Sequence, residues 1–297
     1  LRDGIKGPSG ELVRIEMFAH GALCMAISGK CYLSLQTYGA SANRGACYQL
    51  CRRGYEVTDL ETGNSLNIDN KYIMSPKDLC TIEFMDKIID AGVKVFKIEG
   101  RARSAEYVKR CAQCYRQAAD AVCDGTYTPE LAASLKAELS EVFNRGFWDG
   151  YYQGARLGEW SAVYGSSATR KKVYCGKVTN WFDRIGVAEI AVESVPLKVG
   201  AHCMATGATT GVIEFTVNDL RVALKPAEEA VKGVRCSVAI VPENPGVRDG
   251  EVEITPAQGD VSAGDSVESR AGASVNAEGK IPVRLRRGDK IYIWEDC

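Results

Sequence analysis

The sequence predicts an α/β fold in its first part and an all-β module in its last, and three observations carry that reading. Between residues 75 and 125 helical apolar spacing alternates with a short, mainly apolar run, the pattern of helices flanking a buried, parallel-type strand. From Lys171 onward helical spacing gives way to short β-branched runs parted by Gly and Asp, the signature of a small antiparallel barrel. Between them lies a stretch at 144–165 rich in glycine and aromatics, which reads as an ordered connector. The division that follows is 1–125 for a partial α/β unit with a cysteine-rich loop, 126–168 for a helix and connector, and 169–297 for the β module.

Taken in order, residues 11–18 alternate apolar and polar and read as a strand. Residues 19–56 are dense in Gly, Ser, Asn and Cys with little periodicity, so something other than an apolar core must organise them. Glu61-Thr62-Gly63-Asn64 is a turn signal. A helix is expected over 75–92, with Ser75 as N-cap, Pro76 at the first helical position and Gly92 as its stop. Val93–Ile98 reads as a buried strand. Ser104 opens a second helix that Gly125 closes, and Thr128-Pro129-Glu130 starts a third that runs to about Phe143. In the last module, strands are expected at 173–178, 185–193, 197–204, 211–217, 234–241 and 289–294. Residues 242–282 are poor in large apolar side chains and read as a long mobile insertion before the last strand.

A net charge of −1 over 297 residues provides no global basic field. Nucleic-acid contact would rest on local runs such as Arg170-Lys171-Lys172 and Arg284, Arg286 and Arg287, and such short runs more often are solvated faces. No apolar run approaches the ~18 residues of a membrane span, and no leader segment is visible. The expectation is a cytoplasmic protein without a membrane partner.

Three constellations carry chemistry. The first is Cys24, Cys31, Cys47, Cys51 and Cys80, five of twelve cysteines within one glycine-punctuated segment. Thiolates are soft ligands suited to iron–sulfur clusters or zinc, and a bound metal would organise a segment that lacks an apolar pattern. Spacing alone leaves a cluster, a zinc site and buried free thiols open. The second is Lys97-Ile98-Glu99-Gly100-Arg101, at the end of a predicted strand, where α/β active sites form. Arg101 can hold a carboxylate or phosphate through paired hydrogen bonds, while a Lys/Glu/Arg ion-pair network is the structural alternative. The third is His20, four residues before Cys24, either an acid/base group or a satisfied structural histidine. The hydrolase motifs G-x-S-x-G and H-E-x-x-H do not occur.

Residues Glu16–Ser34 (EMFAHGALCMAISGKCYLS) are similar to the signature of the collagenase-like peptidase U32 family, with Glu16, Phe18, Gly21, Ala22, Leu23, Cys24, Gly29, Cys31, Leu33 and Ser34 matching. Further similarity lies in 41–52, 74–80, 97–108 and 144–152. The resemblance implies a TIM-type barrel of which this chain would hold the C-terminal portion, followed by a small barrel akin to domain 2 of translation elongation factors. It implies an RNA hydroxylase acting at pyrimidine C5, foremost on the tRNA wobble uridine with prephenate as oxygen donor. Proteolysis, or a non-catalytic role beside a protein partner or paralogue, are the alternatives. It also implies a [4Fe–4S] cluster on Cys24, Cys31 and Cys47, with Cys80 slightly preferred over Cys51 as fourth ligand. Glu99, Arg101, His20 and Lys97 would serve the reaction. Lys171, Lys172 and Arg286 would contact the backbone of tRNA or another structured RNA.

Overall fold

The computed structural model describes residues 4–24, 26, 30–41, 44–67, 75–155, 158–163, 165–242 and 284–297. The expected insertion at 242–282 lies, except for Pro242, outside the described residues. The chain forms two compact units, Leu1–Lys171 with Asp296–Cys297, and Lys172–Glu295. No described helix is long and apolar enough to cross a membrane.

The first unit is mixed α/β. Its strands are β1 (Ile15–Ala22), β2 (Glu56–Thr58), β3 (Ser65–Asn67), β4 (Asp78–Cys80), β5 (Val93–Ile98) and β6 (Phe147–Trp148). Its helices are α1 (Tyr32–Tyr38), α2 (Met85–Asp90), α3 (Ala105–Cys123) and α4 (Pro129–Ser140). The main sheet runs in the order β5-β1-β4-β6. β1 and β5 are parallel, with Phe18 opposite Lys97 and His20 opposite Ile98. β4 lies antiparallel to β1 and parallel to β6. The expected parallel pairing therefore holds for β1 with β5, while β4 turns the sheet into a mixed one.

The helix expected over 75–92 begins later than its signals indicate. Asp78–Cys80 is a strand, buried along its whole length between β1 and β6. Ser75 caps nothing; its hydroxyl accepts from Arg52, and its carbonyl accepts from Ser161 N–H at 2.8 Å. Leu79 and Ile82 fit a helical stripe and a buried strand equally, and sheet pairing decides the matter. Helix α3 buries Cys111, Tyr115, Ala118 and Ala119 of its expected apolar stripe Val108–Val122, while Val108 is exposed. Thr128 caps α4 by accepting from Leu131 N–H at 3.2 Å. The turn signal at 61–64 joins β2 to β3, with Asp59 Oδ1 accepting from the backbone of Glu61 and Thr62.

One close approach explains a motif glycine. At Gly21 the backbone has φ +118°, and a Cβ there would lie 2.8 Å from the Glu99 carbonyl oxygen and 2.9 Å from the Glu99 Cβ. Only glycine lets the ends of β1 and β5 come this close.

The second unit is all β. Its strands are β7 (Arg170–Phe182), β8 (Val187–Val192), β9 (Leu197–Lys198), β10 (His202–Gly207), β11 (Gly211–Thr216), β12 (Leu220–Val222), β13 (Lys225–Pro226), β14 (Glu229–Ala230), β15 (Arg235–Ala239) and β16 (Lys290–Asp296). Eight of them form one sheet in the order β11-β10-β16-β7-β8-β15-β12-β13, and β9 pairs with β14. Alternate residues such as Val178, Ala188, Ile190, Val192, Val238 and Ile291 fill a single core. The expected strand at 197–204 divides at Gly200, where φ is +83°. The hairpin β12–β13 was not legible, because Ala223 and Leu224 hold its left-handed turn in place of Asn or Gly.

Gly176 in β7 lies opposite Val192, and a Cβ on it would run into the Ala191 carbonyl oxygen. Gly176→Ala is expected to cost the second unit about 1–3 kcal/mol. Thermal unfolding followed through hydrogen exchange of β7 and β8 measures this, and unchanged protection there would contradict the packing.

Candidate functional site

Because β1 and β5 are parallel, their C-terminal ends share one edge of the sheet. The cysteine-rich segment leaves β1 there, and Glu99-Gly100-Arg101 leaves β5 there. The Glu99 N–H donates to the His20 carbonyl at 2.9 Å, tying the two strand ends together. This is the place where ligands gather in α/β folds.

Four thiols collect around the segment after β1. Cys24 and Cys47 are exposed, while Cys31 and Cys51 are half-buried. Burial pushes the Cys51 thiol up, and Cys24, Cys47 and Cys31 lie near enough to raise it further; Arg52 opposes them. Cys31 Sγ accepts from the Ser34 N–H at 3.5 Å and caps α1. Hydrogen bonding to Ser34 lowers its pKa, so the thiolate is the form the helix favours.

Cys80 is elsewhere. It is buried in the core of the first unit, 3.8 Å from the Tyr115 hydroxyl, and burial raises its pKa. Cys80, expected as the fourth ligand, therefore lies apart from the other thiols: β4 pairs it with His20, and its side chain is buried. Cys111 and Cys114 share this core, and burial pushes Cys114 up to about 12. The twelve thiols therefore include a grouped, accessible set and a set sealed in apolar packing.

Two of the expected catalytic groups also change character. His20 is 1% exposed, and its ring packs with Tyr107, Tyr115 and Phe147 at centroid distances of 5.4–5.9 Å. Its Nδ1 lies 3.3 Å from the Tyr115 hydroxyl. Burial, with Arg103 nearby, pushes its pKa down to about 3, so it is a neutral core residue rather than an accessible acid or base. Lys97 pairs with Glu16 at 3.2 Å and lies 5.0 Å from the Phe18 ring centroid, on the open face of β1 and β5. Glu99 accepts from the Arg101 N–H at 2.9 Å, and the Arg101 side chain is exposed.

Sequence reasoning missed the arginine cluster beneath the thiols. The Asp78 carboxylate, 1% exposed at its side chain, meets Arg103 at 3.2 Å and Arg145 at 3.5 Å. Burial raises the Asp78 pKa, while Arg103, Arg145 and Arg52 oppose the shift. Burial and the neighbouring Arg52 and Arg103 push Arg145 down to about 10. Arg103 and Arg145 lie 4.2 and 5.0 Å from the Phe143 ring centroid. Arg52 donates to Ser75 Oγ, to the Pro76 carbonyl at 3.4 Å and to the Leu23 carbonyl at 3.3 Å. Three guanidinium groups share one carboxylate, which leaves positive charge in excess next to Cys51. Arginines scattered over residues 52, 103 and 145 carry no spacing signal, so only the fold reveals them.

Four soft donors in a positively charged surrounding fit, in chemical kind, a thiolate-ligated centre of net negative charge. Among the described residues no three metal-binding side chains stand at ligating spacing, so coordination would have to draw the thiols together.

Comparison with known proteins agrees with the motif reading. Residues 5–162 match peptidase family U32. The chain belongs to that family. It is 58% identical over 240 residues to a collagenase of Porphyromonas gingivalis, covering 81% of this chain and 58% of the relative. It is 40% identical over 154 residues to the 23S rRNA 5-hydroxycytidine synthase of Escherichia coli, covering 50% and 23% of the two chains. It is 33% identical over 174 residues to a tRNA hydroxylation protein of Bacillus subtilis, covering 57% and 41%. The chain thus spans about three-fifths or less of these relatives.

Two measurements check the site. In metal-free protein under reducing conditions, iodoacetamide is expected to label Cys24, Cys31, Cys47 and Cys51 well before Cys80, Cys111 and Cys114, as peptide mass spectrometry would show. The second is pH dependence. His20 titrates near 6.5 when unfolded and near 3 when folded, so between those values only the unfolded chain takes up its proton. Stability of the first unit should fall as pH drops from 6.5 towards 3. His20→Gln should flatten that slope in denaturant titrations, and an unaltered slope would contradict the buried neutral ring.

Proposed function

We propose that this chain is the cluster-bearing portion of an RNA-modifying enzyme that hydroxylates a pyrimidine at C5, foremost the wobble uridine of tRNA. The observation that carries the proposal is the gathering of Cys24, Cys31 and Cys47 around Cys51 at the shared C-terminal edge of β1 and β5. Cys51, rather than Cys80, is the fourth ligand of a [4Fe–4S] cluster in this reading. Such a cluster, when bound, would supply electron transfer. The chain's own residues do the rest. Arg101, exposed at the end of β5 beside Glu99, holds the carboxylates of an oxygen donor such as prephenate. The pair Lys97–Glu16 presents a polar wall on the same open face. The excess charge of Arg52, Arg103 and Arg145 offsets the thiolates. β1 and β5 belong to a TIM-type barrel, and the second unit is a small closed barrel that docks RNA.

The names of the tRNA and rRNA relatives support this reading. Collagen-type proteolysis is the second reading, favoured by the higher identity to the collagenase relative. Against it stands the absence, among the described residues of the first unit, of an accessible histidine to activate a nucleophile: His20 is sealed in the core.

Anaerobic purification with iron and sulfide determination tests the ligand set. Cys51→Ser should lose most of the bound iron and the visible absorption, whereas Cys80→Ser should retain both. Nucleoside mass spectrometry of RNA from a deletion strain, beside a gelatin cleavage assay, tests the reaction. Unchanged nucleosides with cleaved gelatin would replace hydroxylation by proteolysis.

A further inference from the structure

Helix α1 and the turn after it leave an aromatic surface in water. Tyr38 and Tyr48 pack as a tilted pair with ring centroids 4.7 Å apart. Burial does not account for the pair, since the two residues are 50% and 51% exposed. The Arg53 guanidinium lies 6.0 Å from the Tyr38 ring centroid, with both terminal nitrogens 3.4 Å from the Tyr38 hydroxyl. Tyr32, which opens α1, is 75% exposed. Rings placed only to fill a core would be covered by apolar neighbours.

The segment that carries these rings has charged residues of one sign. Between Glu16 and Glu56 the sequence contains no Asp or Glu, yet it holds Lys30, Arg44, Arg52 and Arg53. The whole chain carries a net charge of −1, so this basic stretch is a local feature of the sequence. Flat π faces on a segment whose charges, Arg52 at Asp78 aside, are Lys30, Arg44 and Arg53 match the chemistry of unpaired RNA, whose bases stack on rings while its phosphates meet cations. A paired duplex keeps its base faces inside the stack and offers the rings nothing. The surface also lies at the thiol group. Tyr32 follows Cys31, Tyr48 follows Cys47, and Arg52-Arg53 follow Cys51.

We infer that Tyr38, Tyr48 and Arg53 form a stacking platform for an unpaired nucleotide of RNA, with Lys30 and Arg44 meeting the flanking phosphates. The inference rests on the RNA-modification reading and deepens it, for it names the surface that holds a base beside the thiols.

The test uses the full chain and a fluorescein-labelled, uridine-rich single-stranded RNA, with the same sequence as a duplex for comparison. Fluorescence anisotropy should show binding of the single strand and weak binding of the duplex. Tyr38→Ala and Tyr48→Ala should each weaken single-strand binding about ten-fold, while Tyr38→Phe, which keeps the ring, should bind as the parent does. Arg53→Ala should weaken binding and reduce the salt slope by about 0.7. In the unsubstituted chain, 4-thiouridine in the RNA should crosslink to Tyr38 or Tyr48, which keeps the test valid if a variant fails to fold. Alanine variants that bind as the parent does, or crosslinks confined to the second unit, would overturn the platform. Loss of gelatin binding with RNA binding intact would assign the rings to a protein ligand and overturn it too. RNA binding that depends on the rings, without any hydroxylated nucleoside, would retire the hydroxylase reading and keep the platform. Hydroxylation that survives both alanine substitutions would do the reverse.

Discussion

A single buried carboxylate, Asp78, sets the terms for the first unit. Removing a charge from water costs several kcal/mol unless partners answer it. Here the partners are arginines from three separate places in the chain: Arg103 before α3, Arg145 before β6, and Arg52 in the cysteine-rich segment. Arg52 reaches from that segment to Ser75, Pro76 and Leu23, so the same electrostatic centre that stabilises β4 also anchors the loop carrying the thiols. A segment with no apolar periodicity is held by hydrogen bonds to residues flanking β1 and β4.

The second organising element is the Tyr115 hydroxyl. It accepts from the Thr81 N–H at 2.9 Å and donates to the Ala19 carbonyl at 2.8 Å, beside His20 and Cys80. One phenol thereby satisfies backbone groups of β1 and of the turn after β4 in the interior, where an unmet polar group is costly. Its presence on α3 explains why β1, β4 and the helix layer pack as one body, and why His20 serves packing rather than proton transfer.

Much of this was legible in the sequence, and the parts that were not have physical reasons. Val93–Ile98 was readable as a strand from its β-branched run, and the helix after Ser104 from its period; that the strand is an edge with only Val93 buried was not, because strand order is set by pairing. The strand at Asp78–Cys80 was hidden because three residues carry no period and Ser75-Pro76 mimics a helix start. The grouping of Cys24, Cys31, Cys47 and Cys51 was readable from their shared glycine-rich segment. The separation of Cys80 from them was not, because register alone determines which face of a strand a side chain takes. The turn at Ala223-Leu224 escaped notice for the opposite reason: the backbone demands a conformation that its residue types do not advertise.

Cys31 joins two equilibria that are usually separate. Its sulfur is both a member of the grouped thiols and the acceptor at the start of α1. A sulfur that has lost its proton is a stronger acceptor for the Ser34 N–H, so ionising Cys31 steadies the first turn of the helix, and a formed helix eases the ionisation. Soft metals require that same proton loss. Proton release and winding of the short helix that bears Tyr32 and Tyr38 are therefore linked through one atom.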